Sequence, residues 1–417
     1  MSGFPFLKYR GAELFVESVS LDQISKEFGT PCYVYSRAAL TNAYRELDAA
    51  FSERNHLLCY AVKANSSLAI LDLFARLGSG FDIVSEGELR RVLKVGGDPQ
   101  KIVFSGVGKS SDEIRAALLA NILCFNVESE AELILLNQVA KKMDKIAPVS
   151  MRVNPDVDAK THPYISTGLK ENKFGVPFNE AEKLYFSGEN LTNIRMTGLD
   201  FHIGSQLTEL APFSEACEKV LVLLDRLEDK KLKIEHLDFG GGLGIRYSEE
   251  NPPSIQNYVA ALCENLGSRT QRILIEPGRS LVGNAGLLLT RVQYLKHTSH
   301  RDFAIVDAAM NDLIRPALYD AYHEILPITM NGRDTKNYQI VGPVCETGDF
   351  LGQNRSLALS QGDLLAVMSA GAYGMSMSSN YNSRPRVAEV MVDGDSIHLI
   401  RERESIEQLF SNERVLP

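Results

Sequence analysis

From residue 57 onward the sequence alternates short apolar runs with longer amphipathic stretches, and no other feature restricts the fold as much. The apolar runs cover 57–63, 80–84, 101–105, 122–127, 147–153, 194–201, 234–239 and 272–276. Helical periodicity lies between them, at 67–77, 86–95, 129–142 and 213–230. Ser85-Glu86-Gly87-Glu88 and Ser129-Glu130-Ala131-Glu132 have the form of capped first turns. Eight strand–helix units in succession predict a closed (β/α)8 barrel, which takes about 250 residues. An open doubly wound sheet would also alternate. However, no GxGxxG follows the first run and the regularity is unbroken, which favours closure.

After residue 283 the texture changes. Valine-rich segments at Phe303-Ala304-Ile305-Val306, Gln339-Ile340-Val341, Asp363-Leu364-Leu365-Ala366-Val367 and 386–394 are separated by Gly, Asn and Asp turns. They predict a mostly antiparallel β-domain. The expected class is therefore α/β, a TIM-like barrel over 36–282 followed by a β-domain over 283–417. Residues 1–35, with Cys32-Tyr33-Val34-Tyr35, are expected to add to the second domain.

A chain of 417 residues exceeds one compact core, in line with two domains. Its formal charge of −9 argues against nucleic acid as the main partner. The N-terminus lacks the basic-then-apolar order of a signal peptide, and no apolar stretch approaches membrane-spanning length. The six cysteines are scattered without metal-ligand spacing, which suits a reducing cytoplasm. No metal is expected.

In such a barrel the chemistry belongs at the carboxyl ends of the strands. Lys63, Asp82, Arg152 with Asn154, His202, the glycines after Asp238, and Glu276 fall there. Each alone could be a cap or a solvated strand end; for Asp82 the cap is as good a reading as function. Lys63 ends an otherwise apolar run, where an ammonium needs a partner or a lowered pKa, and a lysine of lowered pKa is a nucleophile. The runs before Gly240-Gly241-Gly242-Leu243-Gly244 and Glu276-Pro277-Gly278-Arg279 end in glycine-rich loops on adjacent strands, a common place for phosphate. A lysine facing a phosphate cradle suggests pyridoxal phosphate (PLP), with Glu276 against its ring nitrogen and His202 against its face.

Six ordered motifs carry a resemblance. They are Tyr60-Ala61-Val62-Lys63-Ala64-Asn65, Phe201-His202-Ile203-Gly204-Ser205-Gln206, the two glycine loops, Cys345-Glu346-Thr347-Gly348-Asp349 and Gly371-Ala372-Tyr373-Gly374. Together they resemble the alanine-racemase-fold PLP decarboxylases. Within these, His162-Pro163-Tyr164-Ile165-Ser166-Thr167-Gly168, Lys173-Phe174-Gly175 and Arg315-Pro316-Ala317-Leu318-Tyr319 look like the diaminopimelate decarboxylases.

The resemblance implies a homodimer with shared active sites, acting on meso-diaminopimelate. Lys63 would hold PLP through an imine, with Asp82 nearby, Glu276 at the ring nitrogen and His202 on the ring. Ser205, Gly241, Gly242, Gly278, Arg279 and Tyr373 would surround the phosphate. Arg279, Arg315 and Tyr319 would hold the distal carboxylate of the substrate, with Tyr373 beside it, and Glu346 the distal ammonium. Cys345 of the partner subunit would be the acid that returns a proton to carbon; read without the resemblance, it is equally an inert loop thiol. The alternatives are a same-fold decarboxylase for carboxynorspermidine, ornithine or arginine, and a non-catalytic PLP-carrying regulatory homologue. The second would be expected to lack the lysine or the thiol.

Overall fold

A computed structural model describes Phe4 and residues 6–158 and 173–417. The segment 162–168 lies outside the described residues. The chain divides into two compact units: Tyr44–Ile245 with Asn251–Ser280, and Met1–Ala43 with Arg246–Glu250 and Leu281–Pro417.

The first unit is a closed barrel of eight parallel strands, His56–Ala61, Gly80–Ile83, Ile102–Phe104, Cys124–Val127, Ala147–Asn154, Ile194–Asp200, His236–Asp238 and Arg272–Ile275. Each pairs with the next, and the last returns to the first through Ile273 opposite His56 and Ile275 opposite Leu58. Parallel strands covered on both faces have no solvent side, which is why they read as unbroken apolar runs. In the first strand Leu57 and Cys59 join Val103, Cys124 and Leu274 in one buried cluster. Tyr60 turns the other way and packs on Phe74 of the following helix, ring centres 4.6 Å apart. The helices start where their caps predict. Ser85, Ser110 and Ser129 each accept the backbone N–H three residues on, and Ser110 forms a full capping box with Glu113. Such a cap contributes about 1 kcal/mol.

The second unit is built on the long strand Gly286–His297. It pairs antiparallel with Cys32–Ser36, Asp302–Val306 and Leu364–Val367. Two pairings are parallel, Cys32–Ser36 with Ala388–Asp393 and Asp302–Val306 with Lys336–Val341. The sheet is thus mostly antiparallel. Its buried side chains include Val34, Leu287, Leu289, Ala366, Val390 and Val392. A separate three-stranded sheet, Leu7–Arg10, Glu13–Val16 and Val19–Ser20, opens the chain.

Inside the barrel, Gly198 stands opposite His236 on the adjoining strand. A Cβ on Gly198 would lie 2.2 Å from His236 Nε2. The ring is buried, and burial, with Arg272 and Arg195 adding to it, lowers its pKa to about 4, so it packs as a neutral core side chain. Gly198→Ala is expected to destabilise the protein by about 1–3 kcal/mol through overpacking, read as a lower urea midpoint at unchanged slope. An unchanged midpoint would show that the ring moves aside freely.

Candidate active site

The first barrel strand ends at Ala61, and Val62–Ala64 forms a single 3-10 turn. Lys63 therefore stands beyond the strand rather than at its buried end, with 37% of its side chain exposed. Its Nζ donates to Asp82 Oδ2 at 2.8 Å. Asp82 lies within the second strand, opposite Ala61, and is fully buried. The ammonium's desolvation is offset by an ion pair, and Asp82 is that partner, not a helix cap. The loop after the eighth strand lies on this turn: Ala61 N–H donates to Pro277 O at 3.0 Å, and a Cβ on Gly278 would come within 3.1 Å of the Ala64 methyl.

The glycine loop after the seventh strand is pressed between the loops of its neighbours. Gly240 and Gly242 have left-handed φ of 61° and 109°, and a Cβ on Gly241 would sit 2.2 Å from Glu276 O. Glu276 N–H donates to Gly240 O at 2.7 Å, and Leu207 N–H to Gly242 O at 2.9 Å. Gly241 N–H donates to His202 Nδ1 at 3.1 Å, so that nitrogen is an acceptor and the ring is neutral. Burial, then Arg152 and Lys63, drives the His202 pKa well down. Ser205 Oγ, which shares with His202 the loop after the sixth strand, accepts from Arg279 Nε at 3.3 Å and Nη2 at 3.0 Å.

Beneath these loops lies a layer of buried acids. Glu276 Oε1 accepts from Asn126 Nδ2 at 3.2 Å and Ser105 Oγ at 3.4 Å. Burial first, then Asp238, Asp82 and Asp200, pushes its pKa well above the usual carboxylate range. Asp238 is raised to about 6, chiefly by burial, and Asp200 is raised by burial and Asp238. Arg152 donates to Glu128 Oε1 at 3.1 Å and lies 3.9 Å from Asp200. Glu128 also takes the N–H of Gly106 and of Gly175, each at 3.0 Å.

The remaining predicted residues belong to the β-unit. Arg315 and Tyr319 share the short helix Arg315–Tyr319. Arg315 is buried, donates Nη1 to His323 Nε2 at 2.9 Å and lies over the Tyr247 ring. His323 in turn contacts Met368 O at 2.7 Å, so Nδ1 is the protonated nitrogen. Cys345 and Glu346 are exposed on a turn held by Asp349, which accepts the N–H of Val344 at 2.8 Å and of Met310 at 2.6 Å. Cys345 N–H donates to Asn382 Oδ1 at 2.8 Å, and Tyr381 Oη to Glu346 Oε2 at 3.3 Å. Tyr373 has a left-handed φ of 54°, an arrangement that tyrosine rarely adopts outside sites that require it.

One family model matches residues 37–283, that of the pyridoxal binding domain of pyridoxal-dependent decarboxylases. A diaminopimelate decarboxylase of Pseudomonas aeruginosa is 58% identical, over 98% of this chain and 99% of its own. The chain belongs to the diaminopimelate decarboxylase family. Among solved structures, that of the Helicobacter pylori diaminopimelate decarboxylase complexed with L-lysine is 43% identical. It covers 94% of this chain and 98% of its own, with a TM-score of 0.91. That of the M. jannaschii diaminopimelate decarboxylase in co-complex with L-lysine is 37% identical, over 100% and 99%, with a TM-score of 0.96.

PLP is the cofactor of this family, and the barrel residues fit it. They supply a primary amine with an acid partner, a second buried acid, a neutral flat ring, and an arginine beside closely packed glycine turns. Asp200 and Asp238 escaped the sequence reading because an acid at a strand end also reads as a cap. Their inward placement shows in the register, with Arg152, Asp200 and Asp238 opposite one another on three successive strands.

Burial of Glu276 has a pH signature. A carboxyl whose pKa is raised in the folded state lends stability below its unfolded pKa, and that contribution is lost as pH rises through the folded value. Glu276→Gln removes this loss. In protein stripped of cofactor, its melting temperature should gain on the wild type's from pH 5 to pH 8; a constant difference would contradict the raised pKa.

Proposed function

We propose that this chain removes CO2 from meso-2,6-diaminopimelate to give L-lysine, the last step of lysine biosynthesis. The near full-length likeness to diaminopimelate decarboxylases carries the reading. Two solved relatives hold L-lysine, the product of that reaction.

Bound at the barrel mouth, PLP supplies an electrophilic carbon for amines and a ring that accepts the electron pair released when CO2 leaves. Lys63 would hold it covalently through Nζ, with Asp82 Oδ2 placed to accept the protons of that nitrogen. Glu276, as an anion, would hold the ring nitrogen in its protonated form. His202, neutral, would back the ring without competing for that proton. Ser205, Gly241, Gly242, Gly278 and Tyr373 would bind the phosphate, and Arg279 would serve both cofactor and substrate. Arg315 and Tyr319 take the distal carboxylate with Arg279, and Glu346 the distal ammonium. These groups lock the far end of the substrate, so that the bond to be broken is held in a fixed orientation.

Cys345 Sγ then gives its proton to the carbon that lost CO2, yielding the amine. Its exposed turn suits a residue that serves a second copy of the chain, and two copies are inferred to complete each site. The location is inferred to be cytoplasmic; among the described residues no helix is long and apolar enough to cross a membrane.

Incubation with PLP and meso-diaminopimelate should release CO2 and lysine mole for mole. Release from ornithine, arginine or carboxynorspermidine instead would overturn the substrate assignment. Cys345→Ala should keep the visible absorbance of lysine-bound cofactor while turnover falls by about 10²–10⁴-fold. Near-normal turnover would remove the thiol from the mechanism.

A further inference from the structure

Arg315 opens the short helix Arg315–Tyr319, which ends at Asp320 with a left-handed φ of 51°. The chain turns back there, with Ala321 N–H donating to Arg315 O at 3.4 Å, and His323 comes to lie against the Arg315 side chain. Both residues are buried, His323 completely. The backbone around His323 is pinned. Met368 N–H donates to Glu324 O at 2.8 Å, and Arg355 Nη2 donates to His323 O at 3.0 Å. From Ile325 the chain continues as a strand paired with Leu364–Val367.

The two ring nitrogens of His323 have different tasks. A guanidinium can only donate, so Nε2, 2.9 Å from Arg315 Nη1, is an acceptor. Nδ1, 2.7 Å from Met368 O, carries the proton. The imidazole is therefore neutral; a second proton on Nε2 would set two donors and two positive charges against each other. The Tyr247 ring meets both partners, its centre 4.6 Å from Arg315 Cζ and 5.4 Å from the His323 ring, which it meets edge-on. Arg152 in the barrel is held differently, by Glu128 at 3.1 Å and with Asp200 at 3.9 Å. Those carboxylates neutralise Arg152 as they orient it. His323 brings no negative charge, so its contact orients the Arg315 guanidinium without weakening its attraction for an anionic ligand.

We propose that His323 is a positioning residue for substrate recognition: as a neutral acceptor it holds the Arg315 guanidinium in the orientation that receives the distal carboxylate. This rests on the reading of Arg315 as a ligand of that carboxylate. His323 acts through Arg315, and no bond is made or broken by it. A glutamine at 323 would carry the same pair of functions, an acceptor for Arg315 Nη1 and a donor for Met368 O, whereas an alanine has neither.

The test compares L-lysine and 1,5-diaminopentane as ligands of the PLP-loaded protein. Decarboxylation leaves the distal carboxylate of meso-diaminopimelate on L-lysine. The diamine is L-lysine without that group, so the ratio of the two affinities reports on the carboxylate alone. In calorimetric titrations His323→Ala should weaken L-lysine by about tenfold or more, as for one lost hydrogen bond to a charged group, and leave the diamine unchanged. His323→Gln should restore most of the L-lysine affinity. A merely structural histidine would weaken both ligands together. A wild-type ratio in His323→Ala, whether both ligands weaken or neither does, would overturn the proposal, as would a glutamine variant no better than the alanine one. Arg315→Ala separates the proposal from the reading beneath it. If that variant keeps the wild-type ratio, Arg315 does not hold the carboxylate and both fall; if it loses the ratio while His323→Ala keeps it, the role of His323 alone falls.

Discussion

The site depends on one pairing, the return of strand Arg272–Ile275 to strand His56–Ala61. Without it the chain would be an open sheet, with Glu276 and Lys63 at opposite edges. With it, the loop after the eighth strand lies on the lysine turn, and Pro277 O takes the N–H of Ala61. The glycine loop of the seventh strand is then pressed against both neighbours, where no Cβ fits at Gly241 or Gly242. Closure thus brings an amine, two glycine-rich turns and an arginine to one end of the barrel before any ligand arrives.

That end is electrostatically strained, and the strain has a direction. Buried acids outnumber nearby cations, so a bound group carrying positive charge on a ring nitrogen is favoured where Glu276 lies. His202 contributes by staying neutral: the Gly241 N–H occupies Nδ1, and Arg152 and Lys63 disfavour a further charge. A protonated imidazole in the same place would repel a cofactor ring carrying that charge.

Much of this was legible in the chain. Strands covered on both faces announce themselves as unbroken apolar runs, and all eight fall where those runs do. Serine caps at 85 and 129 mark their helix starts. What could not be read depends on tertiary partners. Lys63 looked like the buried end of a strand because Val62 prolongs the apolar run, yet the backbone turns at Ala61 and the lysine reaches Asp82 across a helix's worth of sequence. Strand Gly286–His297 was missed, since its first half is buried and its second half faces water, which blurs any single period. Asp238 was passed over for its glycines, and only the register of neighbouring strands shows it facing Asp200.

The central claim is that barrel closure builds the site around one lysine. Borohydride reduction of the PLP-loaded protein, followed by peptide mapping, tests it most directly. The account predicts phosphopyridoxyl on Lys63 alone. The label on any other lysine, such as the buried Lys109, would contradict it.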